Sequence, residues 1–159
     1  MIEFARRMEK VRASDIRELL KITDKPGMIS FAGGLPAPEL FPVERLKGIT
    51  QKVLETSGAE ALQYAATEGF TPLRQKIADR MNKRYGTRVA QRNILITSGA
   101  QQGLDFTGKI FLNEGDVVLC ESPTYLGAIN AFNAYGPTML EVPTDDEGML
   151  PDQLERILN

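Results

Sequence analysis

The residues best able to do chemistry are Thr97-Ser98-Gly99-Ala100-Gln101, inside the run NILITSGAQQGLDFTGKIF from Asn93 to Phe111. A β-branched apolar run, Ile94-Leu95-Ile96, precedes them and suits a buried strand. Leu104, Phe106, Ile110, Phe111 and Leu112 follow at roughly helical spacing. The pattern predicts strand, tight turn, helix. The first N–H groups of such a helix, near Ala100 and Gln101, have no partner within it, and the helix dipole adds partial positive charge. Together they make an anion site, suited above all to phosphate. Gly99 lets the backbone turn sharply and approach an oxyanion closely. Strand–glycine–helix turns also occur in α/β proteins that bind nothing there, so the stretch alone names no ligand. Taken alone, Gln101 and Gln102 read as a solvated helix start.

The elements that must position this stretch can be read in order. Residues 4–23 are predicted helical, with Ser14 as a cap and Ile16, Leu19, Leu20 and Ile22 on one face. Lys25-Pro26-Gly27 stops that helix. Met28–Phe31 is a short extended piece, and Ala32–Pro38, with two glycines and two prolines, is an irregular loop. Pro42 opens a second helix whose inner face is Leu46, Ile49, Val53 and Leu54 and whose end is Ser57-Gly58. Thr71-Pro72 opens a third, with Leu73, Ile77, Met81 and Tyr85 inward and Arg74, Lys76, Asp79, Arg80, Lys83 and Arg84 on a solvated face. Beyond Phe111, Val117–Cys120 and Met139–Val142 read as strands, and residues 126–134 and 151–159 as helices. Asp145–Gly148 reads as a polar loop. Helices alternating with strands imply parallel pairing through right-handed crossovers, an α/β architecture.

Composition narrows the classes of function. A formal net charge of −2 gives no electrostatic case for nucleic acid or an anionic membrane. No apolar run approaches the ~20 residues of a membrane span. The start of the chain lacks the apolar core of a signal peptide, so a cytoplasmic protein is expected. A single cysteine, Cys120, gives no intramolecular disulfide and no metal cluster. The absence of histidine rules out any Ser–His or Cys–His pair within the chain.

Four stretches, GGLPAPELFP, LQYAATEG, TSGAQQGL and ESPTYLGA, occur in order. Together they resemble the amino-terminal half of the fold-type I aminotransferases, in particular the 2-aminoadipate/kynurenine aminotransferase-like group. The resemblance implies the aspartate aminotransferase-like fold of pyridoxal 5′-phosphate enzymes. It implies residues 1–60 as an arm with dimer-contact elements and residues 61–159 as the first part of the cofactor-binding large domain. It implies that Ser98, Gly99, Ala100 and Gln101 hold the cofactor phosphate and that Tyr125 stacks on the pyridine ring. It further implies that Tyr64 reaches the phosphate or substrate of a neighbouring subunit in a homodimer. Gly33 and Gly34 match the loop against the amino-acid substrate, and Arg17 matches an arginine that recognises a second carboxylate. The expected reactants are amino acids and 2-oxo acids.

The family also needs a Schiff-base lysine, an acidic partner for the pyridinium nitrogen and an arginine for the α-carboxylate. None of the lysines from Lys10 to Lys109 stands in the matching context. The expectation is an amino-terminal fragment, inactive alone. A dinucleotide-binding domain fails on its glycine pattern, and a P-loop on the missing G-K-[ST]. A non-catalytic aminotransferase-like effector domain of a transcriptional regulator would carry a DNA-binding region upstream of Met1. A structural half of a split enzyme would need a downstream partner.

Overall fold

The computed structural model describes residues 34–159 together with 3–5, 7–8, 27 and 29. Most of the predicted first helix, Arg17 included, and Gly33 lie outside the described residues. The chain falls into two compact units, residues 30–96, and residues 97–159 with 1–29.

In the unit of residues 30–96, helix α1 spans Val43–Ala61 and helix α2 spans Thr71–Tyr85. Pro42 stands one residue earlier in α1 than expected, at the N-cap, and the helix runs past the predicted stop with a non-helical Ser57 (φ −147°, ψ 26°). The predicted inner face of α1 is open: Leu46, Ile49, Val53 and Leu54 are all exposed. Its periodicity reports a face able to pack, and nothing among the described residues covers it. Helix α2 starts with proline in its first turn and ends at Gly86 in the left-handed region, whose N–H reaches Asn82 O. Asn82 then braces the following loop. Its Nδ2 donates to Val89 O, and its Oδ1 accepts from Val89 N–H at 2.8 Å.

Two expectations change here. Arg74, read as solvated, is buried, and its Nε donates to Ile94 O at 2.8 Å. Ile94-Leu95-Ile96 is extended but joins no ladder among the described residues. Its backbone groups are taken by other means: Ile94 O by Arg74, and Ile96 N–H by Glu68 O at 3.0 Å. A buried guanidinium stem with a satisfied N–H replaces a neighbouring strand, which charge patterning cannot foresee. Gly69 (φ 102°) lies against Ile96, where a Cβ would come within 2.5 Å of Cγ1.

The other unit carries helix α3 (Ala100–Phe111), strand β1 (Val117–Ser122), helix α4 (Leu126–Asn133), strand β2 (Thr138–Asp145), strand β3 (Gly148–Met149) and helix α5 (Pro151–Leu158). Strands β1 and β2 run parallel, paired from Val117↔Thr138 to Ser122↔Pro143, with α4 as the crossover between them. The expected polar loop after β2 is instead a tight turn. Asp146 and Glu147 reverse the chain, and β3 pairs antiparallel with β2. Asp145 Oδ1 accepts the Glu147 N–H at 2.8 Å, a local bond that favours such a turn. Val142 on β2 and Ala131 on α4 are buried.

Helix α3 packs on α4 through Gly108. A Cβ there would come within 2.6 Å of the Tyr135 ring and 3.3 Å of Phe132. The Tyr135 hydroxyl donates to Asp105 Oδ1 at 2.8 Å, which pins the ring against the glycine. That hydrogen bond, more than burial or the Asp105 charge, raises the phenol above its ordinary 10.0.

These contacts set stability. Gly→Ala in an open helix interior gains about 0.5–1 kcal/mol, while overpacking costs about 1–3 kcal/mol. Gly48→Ala, with nothing near its Cβ, should therefore stabilise, and Gly108→Ala and Gly69→Ala should destabilise. Urea midpoints of the three variants check this. Tyr135 keeps its proton to higher pH when folded than when unfolded, so its contribution is present below about pH 10 and is lost as pH rises through the raised value. The stability gap between wild type and Tyr135→Phe should close above pH 10.

Candidate functional site

Gly99 is the N-cap of α3, with φ 83° and ψ 172°. That backbone position disfavours any L side chain, and a Cβ there would meet open space, with nothing within 4 Å. The glycine is needed for the turn, and the volume in front of it is clear. Thr97 Oγ1 donates to Gly99 O at 3.1 Å and tightens the same corner.

The amides at this corner divide into two sets. Ser98 N–H donates to Gln102 Oε1 at 2.6 Å. The N–H groups of Gly99, Ala100 and Gln101 donate to nothing among the described residues. Three consecutive donors therefore converge at the positive end of a 12-residue helix. The Ser98 hydroxyl, beside them, also lacks a partner among the described residues. Lys109 in the last turn faces the opposite pole of the dipole.

Tyr125 is the N-cap of α4 and is 65% exposed. Its ring lies over Gly127, where a Cβ would come 2.5 Å from Cζ. The Gln101 side chain spans the two helix starts, with Nε2 donating to Gly127 O at 3.2 Å. So Ser98, Gly99, Ala100, Gln101 and Tyr125, singled out from sequence, occupy one neighbourhood. At the end of β1, Ser122 Oγ donates to Glu141 Oε2 at 2.9 Å, and Ser122 O accepts from Thr144 Oγ1. Cys120 lies two residues back along the same strand. Burial and then Glu141 push its thiol above its ordinary 9.0, so it stays protonated at neutral pH.

Tyr64 and Gly34 belong to the other unit. Tyr64 is 99% exposed, its N–H bonds the Gln63 side chain, and it lines a cleft of about 790 Å³ with Val53, Ser57 and Phe70 at the α1 kink. Gly34 has φ 59° and an open surround. Arg17 and Gly33 lie outside the described residues.

Sequence reasoning passed over two residues. Gln102 folds back from the first turn, and its Oε1 accepts the N–H of Ser98, the residue before the N-cap. The bond resembles the back-reaching half of a capping box but is shifted by one residue, onto Ser98 instead of the N-cap Gly99, so the usual pattern does not mark it. Gly127 carried no signal, since its importance lies in the ring that covers it.

The family model for aminotransferase class I and II matches residues 32–159. The aromatic-amino-acid aminotransferase 1 of Thermococcus litoralis is 50% identical over 155 residues, 98% of this chain and 37% of the relative. The structure is similar to that of the Pyrococcus horikoshii kynurenine aminotransferase in complex with PMP, at 47% identity and a TM-score of 0.87 over 98% of this chain and 38% of that one. It is also similar to the α-aminoadipate aminotransferase LysN of Thermus thermophilus, complexed with N-(5′-phosphopyridoxyl)-L-leucine, at 46% identity and a TM-score of 0.84 over 98% of this chain and 37% of that one. The chain thus spans under two-fifths of the length of these relatives. Its architecture is the N-terminal part of the pyridoxal-phosphate-dependent transferase fold. With most of its length under one family model, the chain belongs to the class I and II aminotransferases, whose cofactor is pyridoxal 5′-phosphate.

Proposed function

We propose that this chain supplies the phosphate cradle and the ring platform of an aminotransferase that moves an amino group between an amino acid and a 2-oxo acid. The observation that carries the reading is the set of three uncommitted N–H groups at Gly99, Ala100 and Gln101, with clear space before them and the Tyr125 ring nearby. A phosphate dianion fits these donors: each N–H meets a charged acceptor at ~1.5–3 kcal/mol, and the dipole adds ~0.3–1 kcal/mol at an exposed site. The Ser98 hydroxyl supplies a further donor. Tyr125 offers an exposed aromatic face to a flat heterocycle, worth ~0.5–1.5 kcal/mol beyond its area. When bound, pyridoxal 5′-phosphate supplies an electron sink for carbanion character at the substrate's Cα. This chain's residues hold the phosphate and fix the ring plane.

The finer assignments rest on the resemblance. Tyr64 contributes its hydroxyl to a neighbouring subunit's phosphate or substrate in a homodimer. Gly33 and Gly34 lie against the substrate, and Arg17 pairs with a side-chain carboxylate, favouring substrates such as glutamate or 2-aminoadipate. Residues 1–60 form the arm and dimer-contact elements, and residues 61–159 open the cofactor domain. The enzyme works in the cytoplasm. The Schiff-base lysine is supplied from outside these 159 residues. Lysine, unlike the cradle, provides both the covalent anchor and the base at Cα.

Titrating the isotope-labelled chain with pyridoxal 5′-phosphate should shift the amide resonances of Gly99, Ala100 and Gln101 first, and inorganic phosphate should shift the same set. A response confined to other residues overturns the reading. Tyr125→Ala should weaken pyridoxal 5′-phosphate about 2–10-fold, the equivalent of ~0.5–1.5 kcal/mol of lost stacking. The purified chain with glutamate and pyridoxal 5′-phosphate should yield no 2-oxoglutarate. Sustained production would overturn the need for an external lysine.

A further inference from the structure

We infer that the outward face of α2 and the loop after it form a docking surface for single-stranded nucleic acid. None of its residues belongs to the cofactor corner. The net charge of −2 averages over a strong local imbalance. Seven of the chain's 19 Lys and Arg residues, but one of its 21 Asp and Glu residues, fall between Arg74 and Arg92. Arg74 is buried, while Lys76, Arg80, Lys83, Arg84, Arg88 and Arg92 are exposed. The four on α2 recur at helical spacing, opposite the face that buries Arg74 and Ala78. Asn82 Oδ1 accepts from Thr87 Oγ1 at 2.9 Å and from the Val89 N–H at 2.8 Å, which holds the main chain around Arg88 close to the end of α2.

This face serves the helix itself poorly. Lys76 with Arg80, and Arg80 with Arg84, are like charges four residues apart and repel. Lys83 and Arg84 gain from the negative end of the helix, but Lys76 and Arg80 stand before its last turn. The one carboxylate in the run, Asp79, accepts from Gln75 Nε2 at 2.8 Å, and no ion pair joins any of the six cations to a carboxylate among the described residues. A chain of phosphates supplies the missing charge. Cations one helical turn apart, about 5.4 Å, meet a polymer charged at every residue. Arginine, four of the six, grips phosphate in a bidentate fork. Tyr85 closes α2 67% exposed, with the Arg84 guanidinium 5.6 Å from its ring centroid. An unstacked base can lie on such a ring, whereas a duplex keeps its bases inside and an acidic protein has none.

Calorimetric titration of the full 159-residue chain tests this. The probes are oligothymidylate of about 16 nucleotides, its duplex with oligoadenylate, inorganic polyphosphate and polyglutamate. Oligothymidylate should bind with a Kd of about 1–100 μM at physiological salt, and log K should fall against log salt with a slope of roughly −3, as for four phosphates on a single strand. Arg80→Gln with Arg84→Gln should weaken it about 5-fold or more and flatten the slope by roughly 1.4. The matched control on α1, Lys47→Gln with Lys52→Gln, should change affinity less than about 2-fold. Tyr85→Ala should weaken oligothymidylate about 5-fold or more and leave polyphosphate unchanged. No binding by the wild-type chain at about 100 μM overturns the inference, as does an equal loss in the α1 control. Polyglutamate binding as tightly as oligothymidylate overturns it in favour of an acidic protein. Equal binding of the duplex, with Tyr85→Ala silent, overturns the single-strand assignment.

Discussion

A helix cannot satisfy its own first N–H groups, and the site described above is a consequence of that constraint. At the start of α3 the shortfall is left open. Gln102 reaches back and takes the Ser98 amide, while the next three are left pointing outward. A conventional Ser, Thr, Asp or Asn cap at position 99 would have consumed one of those donors. Gly99 cannot cap, and its φ of 83° would strain any side chain that could. The helix forgoes a stabilising cap, and the donors remain available to water or to an anion.

Donors alone do not orient a ligand, so the surroundings of α3 matter as much as its first turn. The Asp105–Tyr135 hydrogen bond holds an aromatic ring against Gly108 and draws α3 and α4 together along their length. The Gln101–Gly127 bond does the same at their starts. Glycine appears at both crossings for one reason: a ring occupies the volume a Cβ would need. The parallel β1–β2 ladder, with α4 as its crossover, then fixes where Tyr125 emerges. Ligand groups in α/β sheets gather beyond the carboxyl ends of strands, and Tyr125 stands three residues past the end of β1.

Much of this was legible from residues. Proline near a helix start marked where α2 and α5 begin, and apolar periodicity marked α3. The open-amide corner at Gly99–Gln101 was legible because it depends on local backbone geometry. What escaped depends on contacts distant in sequence. Ile94–Ile96 has strand propensity, yet its partners are an arginine side chain and the Glu68 carbonyl. Arg74 sits in a run of charges that looks solvated, and burial of one member leaves no trace in the pattern. The α1 face of Leu46, Ile49, Val53 and Leu54 shows the converse: periodicity identifies a surface fit for packing without saying whether this chain provides its cover.

The energetics explain why small positional bonds carry weight here. Immobilising a free ligand costs an estimated ~4–15 kcal/mol. Three charge-assisted bonds at ~1.5–3 kcal/mol each and one aromatic stack are of comparable size. Between Ser98 and Tyr125 the chain offers one full positive charge, Lys109, and it sits at the far end of α3. No strong Coulomb term within that stretch tips the balance. Where gain and cost nearly cancel, the pre-organisation of donors and ring decides whether a ligand is held in one pose or several. The Gln101–Gly127 bond, weak and exposed, ties the two helix starts together and is one part of that pre-organisation.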